Sequence, residues 1–295
     1  MIQRNNNLSV LPFYENIDEQ AHRRTYAYGD IYPLYAPLGG VPSFQLVFPH
    51  DTSDGPSAWQ LRRSDGTLVG VVNSALTQGG LQRINYTDYD IVLYPALAPQ
   101  AITPKEGRYY LEAHFTKGRI MYSDVFTVVG DMSDFLMMQW WDTEDLVMDG
   151  ERIAYKSGAN IVYRNTLWLN TQLGKPDYEF EEQGEQRDGL YFPEKMISYK
   201  KYKLNVLANE PLCDVMRFIR LSDFVFVRDK YGNVYRCDTF LMTPKWETQG
   251  NIASIDVEFT CNTVAKKIAH GYAGLGEQGD FNNDYNNDFD NLINN

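Results

Sequence analysis

The chain has 295 residues, 43% of them hydrophobic and 22% charged, enough to take roughly 70–75% of its unfolded surface out of water without metals or disulfides. This composition excludes collagen, coiled coil and whole-chain disorder, and no run approaches the roughly 18 apolar residues of a membrane-spanning helix. The net charge of −12 repels phosphate and argues against a general nucleic-acid coat.

Residues 1–30 are polar, Asn-rich and without period, and predict an extended N-terminal arm or loop. The opening MIQRNNNLSVLPFYENIDE has no apolar signal core, so secretion is not expected. From residue 31, strand-like runs recur at Asp30–Ala36, Ser43–Phe48, Ala58–Arg63, Thr67–Asn73, Asp90–Tyr94, Arg108–Thr116 and Ile120–Val129, with turns at SDG (64–66), PKEG (104–107) and KG (117–118). Closely spaced strands without a helical run predict a β-sandwich over residues 31–131. In PKEGRYYLEAHF, Tyr109, Leu111, Ala113 and Phe115 share one parity and are expected to face a core. With Gly107 two residues earlier, this stretch resembles the tyrosine-corner strand of fibronectin-III and immunoglobulin-like sandwiches. There a tyrosine hydroxyl satisfies backbone where the chain turns into the strand.

A boundary is expected near Gly130–Ser133, and a second β domain over 132–270. Its predicted strands are Phe135–Trp141, Arg152–Lys156, Ile161–Asn170 and Ile197–Leu207. The period then changes: Leu212, Val215, Met216 and Ile219 fall at i, i+3, i+4 and i+7, one face of a helix over about 210–221. Asn209 suits its N-cap and Pro211 its first turn. A hairpin follows with its turn at KYGN (230–233), then a closing strand in which Ile255, Val257, Phe259 and Cys261 alternate with polar residues. A single helix on a bent sheet or barrel is the economical packing. The fold class expected is thus mainly β: an Ig/FN3-like sandwich, then a β-sandwich or barrel with one helix, and an acidic Asn-rich tail over 271–295.

The order ISYKKYKLNVL, short helix, DFVFVRDKYGNVYRCDTFLMTPKWETQGNIASIDVEFTC resembles the strand–helix–hairpin–strand core of tailed-phage tail proteins. These include tail-tube proteins and the distal-tail or baseplate proteins on the same fold. The stretch from FLMMQWWDTEDLVMDG to NTVAKKI, about 130 of the 295 residues, is also similar to structural proteins of Bacteroidetes phages and prophages. The resemblance implies a virion protein made in the bacterial host cytoplasm. It implies a homo-oligomeric ring around a channel through which nucleic acid passes, contacts with other tail or neck proteins, and a sandwich appended outside. Here the sandwich comes first and follows a long arm, so tail, baseplate and neck all remain open.

Several clusters bear on function. The run DYEFEEQGEQRD (177–188) holds six carboxylates and one Arg. It can be a solvated loop, a catalytic pair or a hard-cation site. A further reading pairs Glu179, Glu181 and Glu182 with Lys201 and Lys203 of a neighbouring protomer, since complementary patches fix the register of a closed ring. Trp140 and Trp141 beside Asp142, Glu144 and Asp145 suggest core packing or a sugar platform, and with it an alternative role as a carbohydrate-binding or adhesin module. The tail GDFNNDYNNDFDNLINN spaces Phe281, Tyr285 and Phe289 four apart, a stripe if a partner's groove imposes a helix. It is not a calcium loop, because Tyr285 stands where Gly is needed and Asn291 where Glu is needed. The cysteines Cys213, Cys237 and Cys261 read as buried thiols. His22, His50, His114 and His270 form no metal-ligand pattern, and no nucleotide or hydrolase motif is present. No catalytic residue, metal or cofactor is expected.

Overall fold

A computed structural model describes residues 9–18, 34–96, 102–103, 105–143, 146–148, 151–154, 163–187, 189–246 and 252–267. The fold is mainly β and rich in sandwich packing, as the alternation predicts. The chain forms two compact units, Met1–Glu179 with Ser198–Val264, and Phe180–Ile197 with Ala265–Asn295.

The sandwich in the first unit has β3 (Phe44–Pro49), β7 (Tyr89–Tyr94) and β6 (Gln82–Asn85) on one side. On the other side β8 (Gly107–Phe115) is central, flanked by β4 (Pro56–Arg63), β9 (Ile120–Ser123) and β10 (Phe126–Val129). The layers meet through rings: Phe48 lies edge-on to Phe115 at 5.1 Å and Phe44 tilts over Trp59 at 5.4 Å. Such pairs stabilise beyond their buried area by about 0.5–1.5 kcal/mol each.

The tyrosine corner forms as expected. Tyr109 is fully buried and its hydroxyl donates to the Lys105 carbonyl at 2.9 Å. Gly107, at φ +149°, supplies backbone that a side chain rarely adopts, and the Tyr109 ring lies in van der Waals contact beside it.

Four expectations for this part need correction. Residues 9–14 are not a polar arm: Val10, Leu11, Phe13 and Tyr14 are buried, and β1 (Phe13–Tyr14) pairs with β9. The apolar VLPFY inside a polar stretch is what the core takes up. The run Ile120–Val129 is two strands, because Asp124 turns out of the ladder and its N–H donates to the Pro12 carbonyl. After β5 (Leu68–Val71) the chain makes a short helix, α1 (Asn73–Gln78), rather than no helix. Finally β6, with a single half-buried apolar residue, Ile84, was not foreseen.

Past residue 131 the same sheet continues. β2 (Tyr35–Pro37) runs parallel to β10 and meets β14 (Asn165–Leu169) on its other side. The order then runs β14, β11 (Leu136–Trp141), β17 (Phe224–Arg228), β18 (Val234–Trp246), β19 (Ile252–Lys267), β16 (Leu190–Asn209) and β15 (Asp177–Arg187). The short β12 (Leu146–Met148) and β13 (Glu151–Ala154) pair apart from it. Stretches on either side of Gly130–Ser133 thus share one sheet and one core. That core joins Phe44, Trp59 and Leu111 to Leu136, Val227 and Phe259.

The predicted helix is α2 (Glu210–Met216), followed by one 3-10 turn at Ile219–Leu221. Asn209 caps it, its side chain accepting the Leu212 N–H at 3.1 Å. Leu212, Val215, Met216 and Ile219 are buried, the face their spacing predicted. Among the described residues no helix is long and apolar enough to cross a membrane.

Candidate functional site

The end of the sheet offers the most distinctive surface. On β16, alternation sends Tyr202, Leu204, Val206 and Ala208 into the core and Lys201, Lys203 and Asn205 to the other side. β19 lies along one edge of β16 and β15 along the other. Lys201 therefore reaches acids on both: its Nζ is 2.6 Å from Glu258 Oε1 and 3.1 Å from Glu179 Oε1. Lys203 lies 3.6 Å from Asp177 and 3.9 Å from Glu258. The Tyr199 hydroxyl donates to Glu179 Oε2 at 3.0 Å.

Lys201 first, and the Tyr199 hydroxyl after it, hold the Glu179 carboxyl below its ordinary range. Glu258 and then Glu179 hold the Lys201 ammonium above its own. A carboxylate stabilised in its charged form is the reverse of a general acid. The charges expected to meet between protomers thus meet, for Glu179 and Lys201, within one chain. The pairing of β15 with β16 sets Glu179 beside Lys201 and Asp177 beside Lys203. Glu181 and Glu182 belong to the second unit and are exposed.

The acidic run forms β15, not a loop. D-Y-E-F-E alternates with period 2, which sets charge on one face and Tyr178 and Phe180 on the other. Those two rings are 60% and 75% exposed, although aromatics of this size usually lie inside. Lys200 Nζ sits 5.8 Å from the Tyr178 ring centroid. Within the second unit, Leu190, Tyr191 and Met196 on β16 are exposed as well. Gly184 lets the two backbones approach: a Cβ there would stand 2.2 Å from the Phe192 carbonyl oxygen. The sequence displays this region's charge, and the alternating Tyr178 and Phe180 within it are the signal of the strand.

The sugar platform is not formed. Trp140 is buried. Trp141 stacks on Phe226 at 5.0 Å and on Phe224 at 5.3 Å, and the Arg164 guanidinium lies 4.4 Å from its centroid. These three side chains occupy ring surface that a stacked pyranose would need. Glu144, Asp145 and His270 lie outside the described residues, as do Phe281, Tyr285 and Phe289 of the tail.

Asp142 is a buried carboxylate with its titration pushed up to about 6, chiefly by burial. Its Oδ1 accepts the Asp223 N–H at 3.1 Å and its Oδ2 the Ser222 hydroxyl at 3.3 Å. Asp223 in return accepts the Thr143 N–H at 2.7 Å and the Thr143 hydroxyl. This reciprocal clasp ties the end of β11 to the start of β17 and serves structure. Two other buried acids act similarly: Asp90 bridges His50 (2.9 Å) and Arg83 (2.5 Å), and Glu112 bridges His114 (2.9 Å) and Arg62 (2.7 Å). Among the described residues no group of three His, Cys, Asp or Glu is placed to hold a metal.

No protein-family profile matches the chain, and no curated protein matches it. Among solved structures, a protein of unknown function from Bacteroides ovatus is similar over 84% of this chain and 93% of its own, at 9% identity and a TM-score of 0.14. That degree of likeness carries no argument about fold or function.

Proposed function

We propose that this chain is a structural protein of a tailed-phage particle that joins copies of itself into a ring in the tail, baseplate or neck. Its role is mechanical, and neighbouring virion proteins complete the interface. The resemblance of the strand–helix–hairpin–strand order motivates the setting. The observation that carries the assembly role is β15: among the described residues it ends the sheet order, and it carries Tyr178 and Phe180 on one face with most of each ring in water. A terminal strand presents unpaired backbone groups that another chain can extend, and exposed aromatics are favoured anchors at interfaces.

The test is sedimentation velocity of the full chain beside a Tyr178→Ser, Phe180→Ser variant. The expected result is an oligomer for the parent chain and a monomer of unchanged Tm for the variant. Identical distributions for the two chains would overturn the proposal.

A further inference from the structure

Of the three cysteines, two are brought together by the fold. β18 and β19 are antiparallel neighbours, and their register sets Cys237 directly opposite Cys261. Both side chains turn inward. Cys261 is fully buried in the core beside Ile255, Val257 and Phe259, and Cys237 packs against that core. The ladder slips by a bulge between Cys237 and Thr239, immediately beside the pair. Both thiols are reduced in this structure. Cys213 sits on α2, apart from both in sequence and element.

Residues directly opposite in an antiparallel ladder have Cα atoms about 4.5–5.5 Å apart, and disulfides span Cα separations of about 4.4–6.8 Å. The adjoining bulge interrupts ladder hydrogen bonds, so the strands can take up the small approach of the Cβ atoms that bond formation demands. We propose that Cys237 and Cys261 are a cross-strand dithiol that closes to a disulfide when the protein meets a disulfide oxidant, and that this bond is an oxidative staple across the β18–β19 hairpin.

The chemistry is thiol–disulfide exchange. One cysteine, as thiolate, attacks a sulfur of a small-molecule disulfide, forms a mixed disulfide and releases one thiol of the oxidant. The second cysteine loses its proton and displaces the other thiol. Two S–H bonds are replaced by one S–S bond in the protein, and the oxidant's S–S bond is reduced to two thiols.

The surroundings set the rate. Burial raises the titration of both thiols; the partner sulfur and Asp238 add to this at Cys237, and Asp238 adds to it at Cys261, partly offset by Lys200. Tyr202 lies against Tyr235, ring centroids 5.4 Å apart, and its hydroxyl is coupled electrostatically to Cys261. Thiolate is scarce at neutral pH, so exchange is slow there and the pair closes faster as pH rises. The inference stands on the register alone and does not depend on the proposed assembly role.

The test is incubation of the folded full chain with oxidised glutathione at pH 7 and at pH 9. Free thiols are then alkylated under denaturing conditions, and peptides are mapped without reduction. The expected product has lost two hydrogens, contains a 237–261 linked peptide, leaves Cys213 alkylated, forms faster at pH 9 and melts higher than the reduced chain. A Cys213→Ala variant should give the same link, and Cys237→Ser should give none. Three alkylated cysteines after oxidation at both pH values, or a link that includes Cys213, would overturn the proposal.

Discussion

Replacing Asp142 by asparagine removes a charge that the fold keeps from water. The carboxyl moves from its ordinary value of 3.8 to about 6 on folding, a difference worth at most about 3 kcal/mol. Solvent near the end of β11 screens part of this, leaving about 1–2 kcal/mol. The folded chain holds the proton more tightly than the unfolded chain. The stabilisation from that proton is therefore complete below the unfolded value of 3.8 and is lost as pH rises through about 6. Asparagine keeps one acceptor for the Asp223 N–H and needs no proton. Asp142→Asn should accordingly be more stable than the parent by about 1–2 kcal/mol at pH 7.5, by roughly half as much at pH 5, and by little near pH 4.

Urea denaturation of both chains at these three pH values reads the difference directly. Acids titrating low in the folded chain away from the site, among them Asp229 and Asp256, affect both chains alike and cancel. An advantage that does not change with pH, or a variant less stable than the parent at pH 7.5, refutes burial of the charge as the cause.

Two other substitutions probe the frame. Tyr109→Phe removes the donor to the Lys105 carbonyl and should cost about 0.5–1.5 kcal/mol in urea denaturation with no change in m. Asn209→Ala leaves the Leu212 N–H of α2 without its acceptor and should cost about 0.5–2 kcal/mol, read as a lower Tm with the same far-UV spectrum after refolding.

The elements that sequence patterns foretold are those where one local rule acts alone. The corner at Tyr109 needs only a glycine, a tyrosine and a turn, all within five residues. The helix at 210–216 carries its cap, its proline and its apolar stripe in one segment. Elements that depend on distant partners were hidden. Residues 9–14 are a strand and core only because β9 and Ser43 lie beside them. β6 is a strand because β7 offers an edge, and NSALTQ has no apolar period to mark α1. The acidic run shows how charge obscures pattern. Six carboxylates point to a solvated loop, yet Tyr178 and Phe180 between them already trace the alternation of a strand.

The same limit governed the candidate site. The charges at 177–203 were visible in the sequence, but whether they meet within a chain or between chains depends on the β15–β16 pairing. Trp141 looked available for a ligand because the residues that cover it, Phe224, Phe226 and Arg164, come from two other segments. The equal spacing of the cysteines carries no meaning by itself; strand register gives one pair of them a relationship.

Negative-stain imaging with mass photometry of the purified full chain, over a range of concentrations, tests the central claim most directly. Assembly through the outer edge of β15 gives closed particles of one discrete mass, a whole multiple of the 34.0 kDa chain. A monomer at every concentration would contradict it.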